Sequence, residues 1–197
     1  LRNITFLLAG SKIGMLYRFL RINDPSSPLY GRYIEKIEIK PLPRELAYEF
    51  LRRGLEERGV KPSEDLLQSI INKLNGVIGW LSYAGLKILS KGARLEIIEE
   101  VVEEATATAI NEFCNFIEVM GSERYLEIMK ALGLEGATWT QIKRYLEIRL
   151  GTRIYDSELA RLLRNLVDSG FIEKINNMYV ISDPILRQAT KKLRCRS

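Results

Sequence analysis

The stretch DSELARLLRNLVDSGFIEKINNMYVISDP, residues 156–184, decides the fold of the C-terminal part of this chain. Its first half places leucines at the spacing of one helix face, and Asp156 at its start is a favourable N-cap. After Gly170, apolar and polar residues alternate on both sides of Asn176 and Asn177, which is the pattern of a β-hairpin. The stretch therefore predicts a helix that is followed directly by a two-stranded hairpin.

Two further helical segments precede this stretch. They are SERYLEIMKALGLEG (122–136) and TWTQIKRYLEIRLG (138–151). Three helices joined by short turns and followed by a hairpin make a winged helix-turn-helix. We therefore predict such a domain over residues 121–197.

The third helix of a winged helix-turn-helix commonly enters the major groove of DNA, and basic residues on the wing contact phosphates. The candidate DNA-binding residues are Arg161, Arg164, Asn165 and Lys174. Arg149, Arg153 and the tail RQATKKLRCR (187–196) offer further phosphate contacts. Glu158 and Asp168 beside the arginines favour the alternative, a solvated face that contacts protein. The sequence leaves both interpretations open.

The composition excludes several kinds of site. The 197 residues contain no histidine, which rules out Ser-His-Asp and Cys-His catalysis and histidine metal sites. Cys114 and Cys195 are far apart in the sequence, and the basic tail around Cys195 is expected to be mobile. The two cysteines therefore predict neither a disulfide framework nor a four-ligand zinc site, and they indicate a reducing, cytoplasmic location. We predict no catalytic residue and no metal site within the chain.

The net charge of +5 is unevenly distributed. Basic and acidic residues balance over residues 1–120, so the whole excess belongs to residues 121–197. This asymmetry indicates two parts with different partners. No run approaches the roughly 20 apolar residues that a membrane-spanning helix needs, so we expect no membrane partner.

The start of the chain predicts β-strands. The apolar run from Ile4 to Ala9, closed by Gly10 and Ser11, is typical of a strand buried on both faces of a parallel sheet. YIEKIEIKPL (33–42) alternates and is ended by prolines, which predicts a shorter strand at a sheet edge. One strand cannot be buried alone. Either partner strands lie outside this chain, or the first segment is a short helix.

Residues 41–120 predict a group of helices. PRELAYEFLRRGLEERG (43–59) places its large apolar residues on one face, namely Leu46, Phe50, Leu51 and Leu55. KPSEDLLQSIINKLNG (61–76) repeats the arrangement, with Ser63 as N-cap and Gly76 after the helix end. Two further helical segments complete the group. The predicted fold class is therefore mainly α with a small β component.

Five motifs, taken in order, resemble the archaeal ATPase family. They are FLLAGSKIGML (6–16), SPLYGR (27–32), IKPLP (39–43), ELAYEFLRRGLEE (45–57) and NGVIGWLSYAG (75–85). Members of this family are P-loop proteins of the AAA+ superfamily, close to its signal-transduction (STAND) branch. The resemblance covers nearly all of the chain, but the chain contains no phosphate-binding loop of the form G-x-x-x-x-G-K-[ST].

The resemblance implies a division into three parts. Residues 1–40 would be the last strands of a parallel P-loop sheet, residues 41–120 a helical lid, and residues 121–197 the winged helix. The Walker A and Walker B residues would lie upstream and bind ATP with Mg²⁺ there. ATPase activity would then require that upstream half.

The resemblance also implies nucleotide-sensing positions. Ser11 would be the sensor-1 polar group near the γ-phosphate, and the guanidinium of Arg32 would sense phosphate charge. The alternative for Arg32 is an ordinary loop salt bridge. Gly76 and Gly79 would belong to the lid segment that lies against the adenine, where Ile78 replaces the proline often found in the family.

Three functions remain open. The first is a nucleotide-dependent switch, in which hydrolysis changes how the winged helix is presented to DNA or to a protein partner. The second is a stand-alone winged-helix DNA-binding transcriptional regulator without ATPase activity. The third is a protein-interaction scaffold.

Overall fold

The computed structural model describes residues 6–9, 20–22, 24–35, 37 and 39–195. The chain divides into two compact units. The winged-helix unit combines the ranges 1–36 and 123–182, and the helical unit combines 37–122 and 183–197. The chain therefore passes from the helical unit into the winged helix and afterwards returns to the helical unit.

Eight α-helices and three short strands lie wholly within the described residues. The helices are α1 (Arg44–Glu56), α2 (Glu64–Leu74), α3 (Ile78–Lys91), α4 (Glu96–Met120), α5 (Arg124–Leu132), α6 (Trp139–Leu150), α7 (Asp156–Asp168) and α8 (Pro184–Ala189). The strands are β1 (Ala137–Thr138), β2 (Ile172–Ile175) and β3 (Met178–Ile181). A 3₁₀ turn, Thr190–Lys192, follows α8. The prediction of a mainly helical chain with a small β component is confirmed.

The predicted winged helix-turn-helix is also confirmed. Helix α5 packs against α6 and α7, and the leucines of α7 are buried. Strands β2 and β3 form the hairpin, with Ile175 opposite Met178 across the two-residue turn of Asn176 and Asn177. Asn176 has φ 55°, a left-handed conformation that asparagine tolerates better than most residues.

The third strand, β1, is not predicted by the sequence because two residues are too few to show alternation. It pairs antiparallel with β3, which gives the sheet order β1-β3-β2. Gly136, just before β1, has φ +84°, and a Cβ atom there would lie 2.5 Å from the carbonyl oxygen of Tyr179. Only glycine allows this close approach of the two backbones. Thr138 then caps α6 in a capping box with Gln141.

The helical unit is built around the apolar faces of α1 to α4. Ser63 caps α2 as predicted, because its side chain accepts a hydrogen bond from the amide of Leu66. The prediction for the face of α1 is confirmed for Leu51 and Leu55 and is wrong for Leu46 and Phe50. Its buried residues are Ala47, Leu51 and Leu55, whereas Leu46 and Phe50 are 52% and 41% exposed. Each exposed residue precedes a buried one by one position, which is about 100° around the helix, so the two lie outside the buried stripe.

The C-terminal tail packs on the helical unit. Helix α8 contacts α4 and α2, and Ile185, Leu186 and Leu193 are buried. A disulfide joins Cys114 of α4 to Cys195, with an S–S distance of 2.03 Å. The expectation of a mobile tail with two separate cysteines was therefore wrong. The apolar residues of α8 bring the tail back to α4, so distance along the sequence does not measure distance in the fold.

The tail and the disulfide also bear on two further expectations. The predicted winged-helix domain, 121–197, includes residues 183–195, which the structure places in the helical unit. A reducing compartment was predicted because the two cysteines were expected to be unpaired, and the disulfide contradicts that premise.

The described parts of the two predicted N-terminal strands are neither strand nor helix. Residues 6–9 have no regular secondary structure, and Phe6 and Leu7 are 79% and 88% exposed. Residues 33–35, 37 and 39–40 likewise form no strand. A buried strand needs hydrogen-bonded neighbours on its edges, and no described residue provides them here. Within the described residues, the one sheet is the antiparallel sheet of the winged helix.

Candidate nucleic-acid interface and lid segment

The outward face of α7 carries two of the predicted basic residues. Arg161 and Arg164 are both exposed and, at i and i+3, lie on one side of the helix. Neither guanidinium forms an ion pair with another described residue. The side chains opposite them, including Leu162 and Leu166, are buried. The two arginines therefore present positive charge to the solvent.

The third predicted residue on α7, Asn165, has a different role. Its side chain is half-buried, and Nδ2 donates a hydrogen bond to the hydroxyl oxygen of Tyr125 at 2.7 Å. Tyr125 lies on α5 and is 1% exposed. The amide of Asn165 therefore connects two helices inside the winged helix, instead of lying on the outward face as predicted. The helical repeat gives its angle around α7 but not the position of the neighbouring tyrosine.

The start of α7 is acidic, and its carboxylates have partners. Asp156 is the first residue of the helix, with Tyr155 rather than Asp156 in the N-cap position. The Nζ atom of Lys143 on α6 donates to Asp156 Oδ1 at 2.8 Å, and this hydrogen bond lowers the pKa of the Asp156 carboxyl. Glu158 forms an ion pair with Arg124 of α5. No pattern in the sequence indicates these two pairs, because their members are 13 and 34 residues apart.

The wing carries the fourth predicted residue. Lys174 of β2 is exposed, and its Nζ atom lies 5.5 Å from the ring centroid of Tyr179, directly across the hairpin. Such a cation–π contact is weak at an exposed site and leaves the ammonium accessible. The structure also shows a basic residue that the sequence reasoning missed, Arg144. It is exposed on α6 and forms no ion pair with another described residue.

Arg32 lies at the end of a compact series of turns. Asp24 organises the first of these, since Oδ1 accepts hydrogen bonds from both the amide and the hydroxyl of Ser26. These bonds, with a further one from Arg21, lower the pKa of Asp24 to about 2. The backbone amide of Arg32 donates to the carbonyl of Leu29 at 3.1 Å. The guanidinium of Arg32 is exposed and forms no ion pair with another described residue. Its predicted role as a phosphate sensor stays a prediction. Ser11 lies outside the described residues.

The two predicted lid glycines have different surroundings. Gly76 is buried, has φ +72°, and accepts a hydrogen bond from the amide of Leu42 at 2.8 Å. A Cβ atom at position 76 would lie 2.0 Å from the carbonyl oxygen of Leu42. Gly79, in the first turn of α3, has open space where a Cβ would be. Gly76 therefore joins the start of α3 to the segment that leads into α1, whereas Gly79 faces solvent.

The two aromatic residues after these glycines, Trp80 and Tyr83, both lie on α3, and Tyr83 connects this helix to α4. The rings of Trp80 and Tyr83 meet edge to face at 6.5 Å, and the Tyr83 hydroxyl donates to Glu104 of α4. Lys87 Nζ forms ion pairs with Glu100 at 3.1 Å and Glu104 at 2.9 Å. These hydrogen bonds raise the pKa of Lys87 and lower the pKa of Glu104. A hydrogen bond from Lys91, together with the one from Lys87, lowers the pKa of Glu100. The contacts give both aromatic residues a structural role.

Two searches of the described residues complete this survey. None of their helices has the length and apolar character needed to cross a membrane. In the same part of the chain, no group of three or more cysteine and acidic side chains is arranged to hold a metal ion.

Comparison with known proteins relates the chain to a domain family and to a solved structure. Residues 120–182 match the family described as the MCM protein C-terminal winged helix-turn-helix domain. Curated protein sequences gave no match. Among solved structures, the fold is similar to the Walker-type ATPase PABY2304 of Pyrococcus abyssi, with a TM-score of 0.80 and 32% sequence identity. The similarity covers 92% of this chain and 51% of that ATPase, so the chain spans about half the length of the protein it resembles. The chain therefore combines a winged helix-turn-helix with a relationship to a Walker-type ATPase of an archaeon.

Proposed function

We propose that this chain is the sensor, lid and winged-helix portion of an archaeal AAA+/STAND-type ATPase, and that it acts as a nucleotide-dependent switch. The similarity to a Walker-type ATPase over 92% of the chain carries this proposal. The chain itself has no P-loop sequence, so the Walker A and Walker B groups would come from an upstream segment. ATP with Mg²⁺ would supply the phosphate charge whose loss on hydrolysis drives the switch.

The residues of this chain fit a sensing role. The exposed guanidinium of Arg32, which no described carboxylate neutralises, is suited to hold a phosphate in a bidentate manner. Ser11 would be the second sensing group. Gly76 accepts a hydrogen bond from Leu42. A displacement of the segment that leads into α1 would therefore be transmitted directly to the turn before α3. Gly79, exposed in the next turn, leaves room for a base.

Nucleotide binding tests the switch. We expect calorimetric titration of this chain with Mg-ATP to show no saturable binding, because the groups that cradle the β- and γ-phosphates are absent from its sequence. When the chain is joined to an upstream segment with a P-loop, Mg-ATP should bind, and Arg32→Ala should lower hydrolysis by at least about tenfold. Arg58→Ala, at an exposed position after α1, is the matched control and should leave hydrolysis unchanged. Tight Mg-ATP binding by the present chain alone would contradict the proposal.

Duplex DNA is the partner that we propose for the winged helix. Arg161 and Arg164 support it, since both are exposed and unneutralised by described residues. We expect fluorescence anisotropy with a labelled duplex to show binding that weakens with salt. Replacing both arginines by alanine should lower affinity by at least about tenfold and reduce the slope of log K against log salt by about 0.9 per lost phosphate contact.

The matched control for this experiment is Arg58→Ala, which removes one exposed guanidinium from the helical unit. The absence of binding by the wild-type chain, or equal salt slopes for the wild type and the double variant, would remove DNA as the partner and favour a protein-interaction scaffold. Binding that never responds to nucleotide, even in the joined protein, would favour the stand-alone transcriptional regulator.

A further inference from the structure

We propose that the winged helix holds the phosphate backbone of duplex DNA without reading its base sequence. This inference rests on the proposed DNA binding. It follows from which polar groups of α7 are already engaged within the fold and which are left for a ligand.

The first turn of α7 is poorly equipped to read bases. In helix-turn-helix proteins, residues near the N-terminus of the recognition helix contact base edges. Here that turn carries Asp156, held by Lys143, and Glu158, held by Arg124. Because both carboxylates are paired within the domain, this turn offers no free charged group to a base or a phosphate. Ser157, exposed between them, has a hydroxyl that bonds to any base and so distinguishes little.

The side chain best suited to reading adenine is also unavailable. An asparagine or glutamine recognises adenine in a bidentate contact, in which its side-chain amide donates to N7 and accepts from N6. This contact needs an amide group that is not already engaged within the protein. Asn165 is the one amide side chain on α7, and its Nδ2 atom donates to Tyr125. Because Tyr125 is buried on α5, the amide cannot turn outward without breaking a contact inside the domain.

The remaining groups on α7 and the wing suit phosphates. Arg161 and Arg164 lie in the second and third turns of α7, beyond the residues that would enter the groove first. Lys174 projects from the wing. Contacts to phosphates position a duplex and supply salt-dependent affinity, but they carry no sequence information. A guanidinium that reached a guanine edge instead would enrich guanine at one position, which the selection described below detects.

The pair of Asp156 and Lys143 gives the inference a distinctive consequence. The carboxylate of Asp156 neutralises a lysine of α6 that could otherwise contact a phosphate. Asp156→Asn removes the negative charge and frees Lys143. We therefore expect this variant to bind every duplex more tightly, by several-fold, with no change in relative preference among sequences.

A selection experiment tests this. The wild-type chain is incubated with a pool of duplexes of randomised sequence, and the bound fraction is sequenced. We expect no base to be enriched more than about twofold at any position. Anisotropy on GC-rich and AT-rich duplexes of equal length should then give equal affinities within about threefold. Arg161→Ala should weaken both alike, and Asp156→Asn should strengthen both alike.

The outcomes separate the two proposals. An enriched motif would overturn the inference but not the proposal of DNA binding. The same holds if Arg161→Ala lowers the affinity for one duplex far more than for the other. Failure of the whole pool to bind overturns both. Circular dichroism of each variant checks that the helices are intact. If Asp156→Asn does not fold, Asp156→Ser serves in its place, and the randomised pool decides independently of either variant.

Discussion

Replacing Cys195 by serine is expected to lower the free energy of unfolding by about 4 kcal/mol. The disulfide with Cys114 spans 81 residues of sequence, and the closed loop contains the whole winged-helix segment 123–182. Closing a loop of this length restricts the unfolded chain, and in the chain-entropy account the stabilisation grows with loop length. Urea unfolding followed by circular dichroism measures the change.

Reduction provides the control for this prediction. Dithiothreitol should shift the unfolding midpoint of the wild-type chain to that of Cys195→Ser, and it should leave the variant unchanged because no second disulfide is possible with two cysteines. Cys114→Ser should behave like Cys195→Ser. If the oxidised wild type and the two variants unfold at the same urea concentration, the disulfide does not stabilise the fold. If a thiol reagent labels both cysteines of the untreated protein, the bond is not formed.

Replacing Gly76 by alanine is expected to destabilise the helical unit by about 3 kcal/mol or more. Gly76 has φ +72°, a conformation that alanine adopts only with strain, and the new Cβ would lie 2.0 Å from the carbonyl oxygen of Leu42. Because that neighbour is backbone, it cannot move aside as a flexible side chain would. The hydrogen bond from the Leu42 amide would be lost or stretched as the two segments separate.

Gly79→Ala is the matched control for Gly76→Ala. Gly79 lies three residues further on, within α3, and nothing occupies the space of an added Cβ. Alanine favours helix over glycine by up to about 1 kcal/mol, so this variant should be as stable as the wild type or slightly more stable. Urea midpoints of the two variants measure the difference. Equal midpoints would show that the approach of Leu42 to Gly76 does not constrain the fold.

The candidate DNA-binding helix, α7, illustrates how much a local sequence pattern can predict. Leucine spacing predicts correctly which face of α7 is buried, and that leaves Arg161 and Arg164 outside. The same spacing places Asn165 on the outward side, but the structure turns its amide to Tyr125. A periodic pattern gives the direction of a side chain from the helix axis. It does not give the neighbour that a tertiary contact brings there.

The face of α1 shows the same limit. Leu46 and Phe50 fit an apolar stripe by spacing, yet the packing of α1 against α2 and α3 leaves them exposed and buries Ala47 beside the correctly predicted Leu51. One helix can carry two adjacent apolar stripes. Which of the two is buried depends on the helices that pack against it.

The sequence by itself determined the helical character of the chain and the winged helix-turn-helix, because these follow from repeats of 3.6 and 2 residues and from turn residues such as Asn176 and Asn177. Only the tertiary structure decided that the tail returns to α4, that Cys114 meets Cys195, and that Gly76 lies against Leu42. Each of these contacts joins segments separated by tens of residues. Their meeting depends on how apolar faces pack across the whole unit, and no local pattern contains that information.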